Sequence, residues 1–220
     1  MLLKREREQV VVHGKKMLAA RLTVGSGGNL SVFNRKRGLI AISPSGIEYP
    51  EMAAEDVVVV DARGAVRQGS CRPSSELGIH LALYRRRADV CAVVHTHSVY
   101  ATTLACLGWE LPAAHYLVAF SGAKVPLATY ATFGTPELAQ NILEAAEGFN
   151  AVLMANHGLV AMGPSLPRAF TVAEEIEFAA RIYFQARCIG QPKILPDEEM
   201  RRVGQKFATY GTQPQGRSPS

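Results

Sequence analysis

With 220 residues, 48% of them hydrophobic and 20% charged, the chain can bury one large core and lies far from disordered or fibrous compositions. Its net charge of +5 is spread over short groups (Lys4, Arg5 and Arg7; Lys15 and Lys16; Arg35, Lys36 and Arg37; Arg85, Arg86 and Arg87), the pattern of solvated helix faces and turns and not of a nucleic-acid-binding stripe. Four cysteines without C-x-x-C spacing read as small buried hydrophobes in a reducing compartment; with no signal peptide and no apolar run near the roughly 18 residues of a membrane span, a cytoplasmic protein is expected.

Residues 2–22 carry Leu3, Val10, Val11, Gly14, Met17, Leu18 and Leu22 at helical spacing, and a glycine loop at 25–29 ends that helix. Apolar runs at 30–33 and 39–43, joined by a turn at 34–38, predict a hairpin, and a second strand pair is expected at 57–60 and 65–66. A helix over 74–87 leads into a buried strand at 90–95. Another helix, 98–107, is followed by an irregular stretch to 124 and a short strand at 125–127. Thr135 as N-cap and Pro136 in the first turn start a helix reaching 146. Strands at 151–156 and 159–162 flank a turn at His157-Gly158, residues 167–189 form the longest helix, and 197–210 reads as a last one. Helices alternating with strands and hairpins predict an α/β architecture, a mixed sheet flanked by helices. The Pro/Gly/Ser/Gln-rich residues 212–220 read as a mobile C-terminal tail.

Two of the six histidines form His95-x-His97 at the end of an apolar run, and on a strand residues i and i+2 point to the same face. Two imidazoles so placed can hold one divalent metal at about 2.0–2.1 Å, zinc being the commonest choice for three nitrogens plus a carboxylate. His157, in a turn between two strands, is a third candidate, and Glu76, in the first turn of its helix, a fourth. His80, one helical turn beyond Glu76, rivals it on spacing alone, while His13 and His115 carry no usable pairing. The bland readings are a strand emerging into solvent, a turn histidine and a capping glutamate. Three loops, 26–29, 43–46 and 73–75, offer backbone N–H groups and hydroxyls to an oxyanion, though ordinary turns use the same residues.

The motifs SGGNLS at 26–31, ISPSGI at 42–47, PSSE at 73–76, VHTH at 94–97, YATFGT at 130–135 and NHG at 156–158 resemble, in order and spacing, the class II aldolases of the aldolase/adducin family. The resemblance spans nearly the whole chain, with a single domain over 1–211, and it implies a central mixed, mostly antiparallel sheet in a three-layer α/β fold. AHYL at 114–117 and KFATYG at 206–211 are most similar to members of the L-fuculose 1-phosphate type. The resemblance implies that His95, His97, His157 and Glu76 hold Zn2+, with Mn2+ or Co2+ as substitutes, and that Glu76 is also the catalytic base. It implies that Gly28, Asn29, Ser45, Gly46, Ser74 and Ser75 bind the phosphate of a sugar-phosphate substrate. Tyr116 matches the tyrosine that exchanges a proton with the aldehyde oxygen, and Phe133 and Tyr210 match residues lining the aldehyde side. A homotetramer with active sites between subunits is implied as well. The reaction would be reversible cleavage of a ketose 1-phosphate to dihydroxyacetone phosphate and an aldehyde such as lactaldehyde, through an enediolate whose charge needs a Lewis acid. Burial of Glu76 beside an apolar wall is expected to raise its basicity.

The same histidines would also serve a sugar-phosphate epimerase, dehydratase or decarboxylase of that fold. An adducin-like interaction module would lack the ligands, which this chain keeps.

Overall fold

The computed structural model describes residues 1–209; Tyr210 and residues 212–220, the expected tail, lie outside them. Helices and strands alternate as α1 (Lys4–Ala19), β1 (Asn29–Asn34), β2 (Leu39–Ile42), β3 (Val58–Asp61), β4 (Val66–Gln68), α2 (Leu77–Arg86), β5 (Ala92–Thr96) and α3 (Val99–Cys106). Then follow a 3-10 helix (Tyr116–Phe120), β6 (Leu127–Ala128), α4 (Pro136–Ala145), β7 (Ala151–Met154), β8 (Gly158–Gly163), α5 (Leu166–Ile189) and α6 (Asp197–Thr209). The strands form one sheet in the order β4-β3-β2-β1-β5-β8-β7-β6. The pairings are antiparallel except that of β6 with β7, so the mixed, mostly antiparallel α/β sheet is as expected.

Period-two alternation sorts the strand residues between two apolar layers. Leu30, Val32, Ala92, Val94, Leu159 and Ala161 pack with α1, α3 and α5, whereas Ile40, Ile42, Val58, Val60, Val93 and Val160 pack with α2 and α4. Burying each large aliphatic side chain contributes about 1.5–3 kcal/mol, so both layers bind the sheet firmly. Asn29, Ser31 and His95 share the parity of the second set, and register sets Asn29 opposite His95. Polar groups thus enter the α2 side of the sheet at its centre.

Several expectations meet a different local structure. Cys71 and Cys91 are half-buried and Cys106 and Cys188 exposed, because the last two lie near the ends of α3 and α5, beyond the core-facing stripe; all four are unpaired. Arg7 is not solvated: its buried guanidinium donates to the carbonyl oxygens of Leu2 and Ala54, ties in Val57, and donates to the Gln68 side chain. The stretch expected to be irregular contains the 3-10 helix, whose N-cap His115 accepts from the Leu117 N–H. No helix among the described residues is long and apolar enough to cross a membrane.

Candidate active site

β5 carries His95 at its buried end, and the chain continues directly to His97. The β7–β8 connection closes on the pair Met154–Gly158, with Asn156 in the left-handed region at φ 54° and the His157 N–H on the Met154 carbonyl, a tight hairpin that projects His157. Gly158 is needed there because a Cβ would strike the Thr96 carbonyl oxygen and crowd both His95 and His97. His95 and His157 rings meet edge-on at 4.9 Å, and His97 lies 4.8 Å from His95 and 5.3 Å from His157, centroid to centroid.

Glu76 sits at the N-cap of α2 without capping it; its own N–H donates to Ser74 Oγ, and its carboxylate turns into the site. Oε2 lies 3.2 Å from His95 Nε2 and accepts from Asn29 Nδ2 at 2.9 Å; Oε1 lies 3.4 Å from His157 Nε2 and is buried with no hydrogen-bond partner. Burial works to raise the Glu76 pKa, but His95, His157 and the Asn29 amide outweigh it and hold it down at about 2. The expected gain in basicity is therefore reversed, because two imidazoles and an amide face the carboxylate. Burial, then the neighbouring His95, lowers His97 to about 4 and also lowers His157, so their rings are neutral near pH 7.

This donor set fits a divalent cation. The ligand atoms of His95, His97 and His157 all lie within 4.8 Å of one another. His95 Nδ1 is 3.0 Å from the Leu159 carbonyl oxygen, which can only accept, so Nδ1 carries a proton and Nε2, 3.0 Å from His97 Nε2, is the nitrogen placed to meet a metal. The orphaned Glu76 Oε1 completes a set of three neutral nitrogens and one anionic oxygen, which leaves a bound metal its positive charge.

A cavity of about 350 Å³ opens beside these groups. Its lining includes Gly28, Asn29, Ser45, Gly46, Ser74, Ser75 and Phe133 together with Glu76, His97 and His157, so the structure brings these expected residues together, while His95 is fully buried and not part of the lining. The loops are fixed to one another: the Ser74 N–H donates to the Ser43 carbonyl, the Ser45 N–H to the Arg72 carbonyl, and Tyr49 Oη to the Gly28 carbonyl. Gly28, at φ 69°, has no room for a Cβ against the His95 carbonyl. Among the described residues no Lys or Arg lines the cavity, and an anion there would meet hydroxyls, glycine amides and the α2 N-terminus.

Tyr116 is not in this cavity. It stands half-exposed at the start of the 3-10 helix, against the rings of His115 and Phe207. His80 is not a ligand either: it is fully buried, bonded to Ser31 and Asn29. The lining residues Tyr130 and Asn156, and Ser31 and Tyr84 as partners in the His80 set, received no role from sequence reasoning. One signal was present: Asn29 and Ser31 at i, i+2 on a strand and Glu76, His80 and Tyr84 at i, i+4, i+8 along a helix are two polar faces in otherwise apolar segments.

The family model for the class II aldolase and adducin N-terminal domain matches residues 8–184. The chain belongs to this family. It is 55% identical over 213 residues, 97% of its length and all of the relative's, to a 5-deoxy-D-ribulose 1-phosphate aldolase of Bacillus thuringiensis serovar kurstaki. To an L-fuculose phosphate aldolase of Escherichia coli strain K12 it is 38% identical, covering 92% of this chain and 94% of that one. A solved L-fuculose 1-phosphate aldolase superposes with a TM-score of 0.92 at 47% identity, covering 94% of this chain and 98% of that structure. The chain is a class II aldolase, an enzyme of a metal-dependent family whose His95, His97 and His157 could hold the metal ion.

Proposed function

We propose that this class II aldolase cleaves a deoxyketose 1-phosphate to dihydroxyacetone phosphate and a short aldehyde, with Zn2+ held by His95, His97, His157 and, in the resting site, Glu76. The observation that carries the reading is the convergence of three imidazoles and one carboxylate beside a cavity lined by serine and glycine loops. When bound, the metal supplies a Lewis acid that stabilises the negative charge developing beside the ketone. Gly28, Ser45, Gly46, Ser74 and Ser75 hold the phosphate, and this anchorage at the unreactive end orients the carbons that separate. Asn29, in the cavity lining and hydrogen-bonded to Glu76, helps hold the phosphate and stands near the reacting oxygens. Glu76 gives a proton to the carbon released by cleavage and removes it in the condensation direction. Glu76 draws the proton it gives from solvent, and Tyr116 relays the hydroxyl proton beside the breaking bond, passing its own phenolic proton to solvent as it accepts that one, so the cleavage neither gains nor loses a proton overall. Since Tyr116 stands outside its own chain's cavity, it acts at the site of a neighbouring protomer in a homotetramer.

Phe133 and Tyr130, both more exposed than buried, wall the cavity where the aldehyde portion lies and suit an apolar, deoxygenated terminus; Tyr210 is assigned to the same side. A 5-deoxypentulose 1-phosphate is the preferred substrate, supported by the 55% identity to the Bacillus enzyme; carbon balance then makes the aldehyde acetaldehyde. The likeness to a solved L-fuculose 1-phosphate aldolase favours, as a second reading, the 6-deoxyhexulose whose aldehyde is lactaldehyde.

Aldehyde release from both ketose phosphates tests these readings. The preferred one expects kcat/KM at least about tenfold higher for 5-deoxyribulose 1-phosphate, the discrimination available to a pocket contact; the opposite order establishes the second. Dialysis against a chelator should abolish release and Zn2+ should restore it. Release that survives metal removal overturns the mechanism.

A further inference from the structure

Behind Glu76, on the α2 side of the sheet, five buried polar side chains form one unbroken line. Tyr84 Oη lies 2.6 Å from Ser31 Oγ, Ser31 Oγ 2.6 Å from His80 Nδ1, His80 Nε2 2.6 Å from Asn29 Oδ1, and Asn29 Nδ2 2.9 Å from Glu76 Oε2. All five are at least nine-tenths buried, and His80 and Ser31 are fully so. Such a line is costly unless every member is satisfied, which makes its direction deducible.

The carboxylate sets the direction. An ionised carboxylate only accepts, so Asn29 must offer its NH2 to Glu76 and turn its carbonyl oxygen to His80. His80 must then donate through Nε2–H. Burial first, and His95 second, depress its pKa to about 3, so the ring is neutral and Nδ1 is left an acceptor. Ser31 must therefore donate its hydroxyl hydrogen to Nδ1, which leaves its oxygen to accept from Tyr84, whose phenol burial keeps protonated. Each donor points the same way, from Tyr84 toward Glu76.

We infer that His80 is a positioning residue for the aldol reaction: held as its Nε2–H tautomer by Ser31 and Tyr84, it locks the Asn29 amide with the NH2 toward Glu76, fixing Oε2 of the catalytic carboxylate and leaving Oε1 free to face His157. Without that lock the Asn29 side chain can flip, set its carbonyl oxygen against the carboxylate and drive Glu76 from its place. The inference rests on the reading of Glu76 as the base.

Three measurements decide it. Nitrogen-15 NMR of the His80 ring in the wild-type protein should show a protonated Nε2 and an unprotonated Nδ1; the Nδ1–H tautomer overturns the inference, and this readout needs neither a variant nor turnover. H80F, close in volume but without the donor, should lower kcat about 10- to 100-fold, the usual effect of losing an outer hydrogen-bond partner, with KM within about twofold; H80Q, which restores an N–H donor, should recover part of the loss. In an N29A background the same H80Q and H80F changes should have almost no further effect on kcat, because the pathway runs through Asn29. An undiminished loss there means that His80 acts only through folding and overturns the inference. E76Q separates the two levels: hydrogen exchange into dihydroxyacetone phosphate that persists in E76Q refutes the base assignment, while the tautomer still decides how Asn29 is held.

Discussion

A histidine buried as the neutral ring makes a protein acid-sensitive, and this site gathers several. His80 is held near 3 and His97 near 4, and burial also lowers His157, all below the value of about 6.5 for an unfolded chain. Below pH 6.5 the unfolded chain therefore binds protons that the folded one refuses. The stability these rings contribute is fully present above about pH 6.5 and is lost as pH falls toward their folded values. His80, fully buried, loses its share of that stability steadily across the window. The metal-free protein should thus melt at steadily lower temperature between pH 7 and pH 5, and H80Q should melt with a shallower pH dependence than wild type; parallel curves would show that His80 is not the proton-refusing group. At this scale the sequence was partly transparent. His95, His97 and Glu76 were readable because strand and helix-start geometry leave few directions for a side chain. His80 was mistaken for a possible ligand because helical spacing places it on the same face as Glu76 but does not say how deep that face lies. Depth is set by β1 packing over α2, a contact that no local pattern encodes.

Among the helices, α3 begins directly after His97 at an N-cap, Ser98, whose side chain makes no capping hydrogen bond. The cap comes from elsewhere: Glu177, in the middle of α5, accepts from the Tyr100 and Ala101 N–H groups at 2.9 Å each. A carboxylate on a helix N-terminus satisfies orphan donors and opposes the helix dipole. E177A should cost about 1–2 kcal/mol and lower the melting temperature by roughly 2–8 °C, with a larger loss than E177Q, whose amide oxygen can still accept one bond. Calorimetry of the three proteins checks this, and equal melting temperatures for E177A and wild type would refute the cap. Capping also explains which elements were legible. Thr135 and Pro136 mark the start of α4 as expected, and Thr135 Oγ1 accepts the Leu138 N–H. The five-residue 3-10 helix went unread because it is one turn long and its cap is a histidine, a residue without a capping signature.

At the scale of the molecule, the strands were visible in the sequence but their order was not. β1 pairs with β5 across fifty-seven intervening residues, and β5 with β8, which puts Asn29 beside His95 and His95 beside Val160. Hydrophobic alternation fixes which face a residue takes and leaves the partner strand open, so the convergence of the candidate ligands rested on the family resemblance until the sheet order was known. The reverse holds for Tyr116, where the resemblance supplies a role and the fold keeps the side chain outside its own chain's cavity. Exposed apolar groups nearby in kind, Trp109, Phe178, Phe184 and Ile189, provide surface that an oligomer would cover. If the site is shared between protomers of a symmetric assembly, the reaction needs Glu76 from one chain and Tyr116 from the next. Y116F and E76Q homo-oligomers should each be nearly inactive. Unfolded together at equal concentration and refolded, they should regain roughly a quarter of wild-type activity, because half the sites carry an intact Glu76 and half of those meet an intact Tyr116. The same proteins refolded separately and then mixed should stay inactive until subunits exchange. A co-refolded mixture no more active than its parents would return Tyr116 to its own chain or remove it from the reaction, and sedimentation of the wild type at working concentration would show which assembly had been tested.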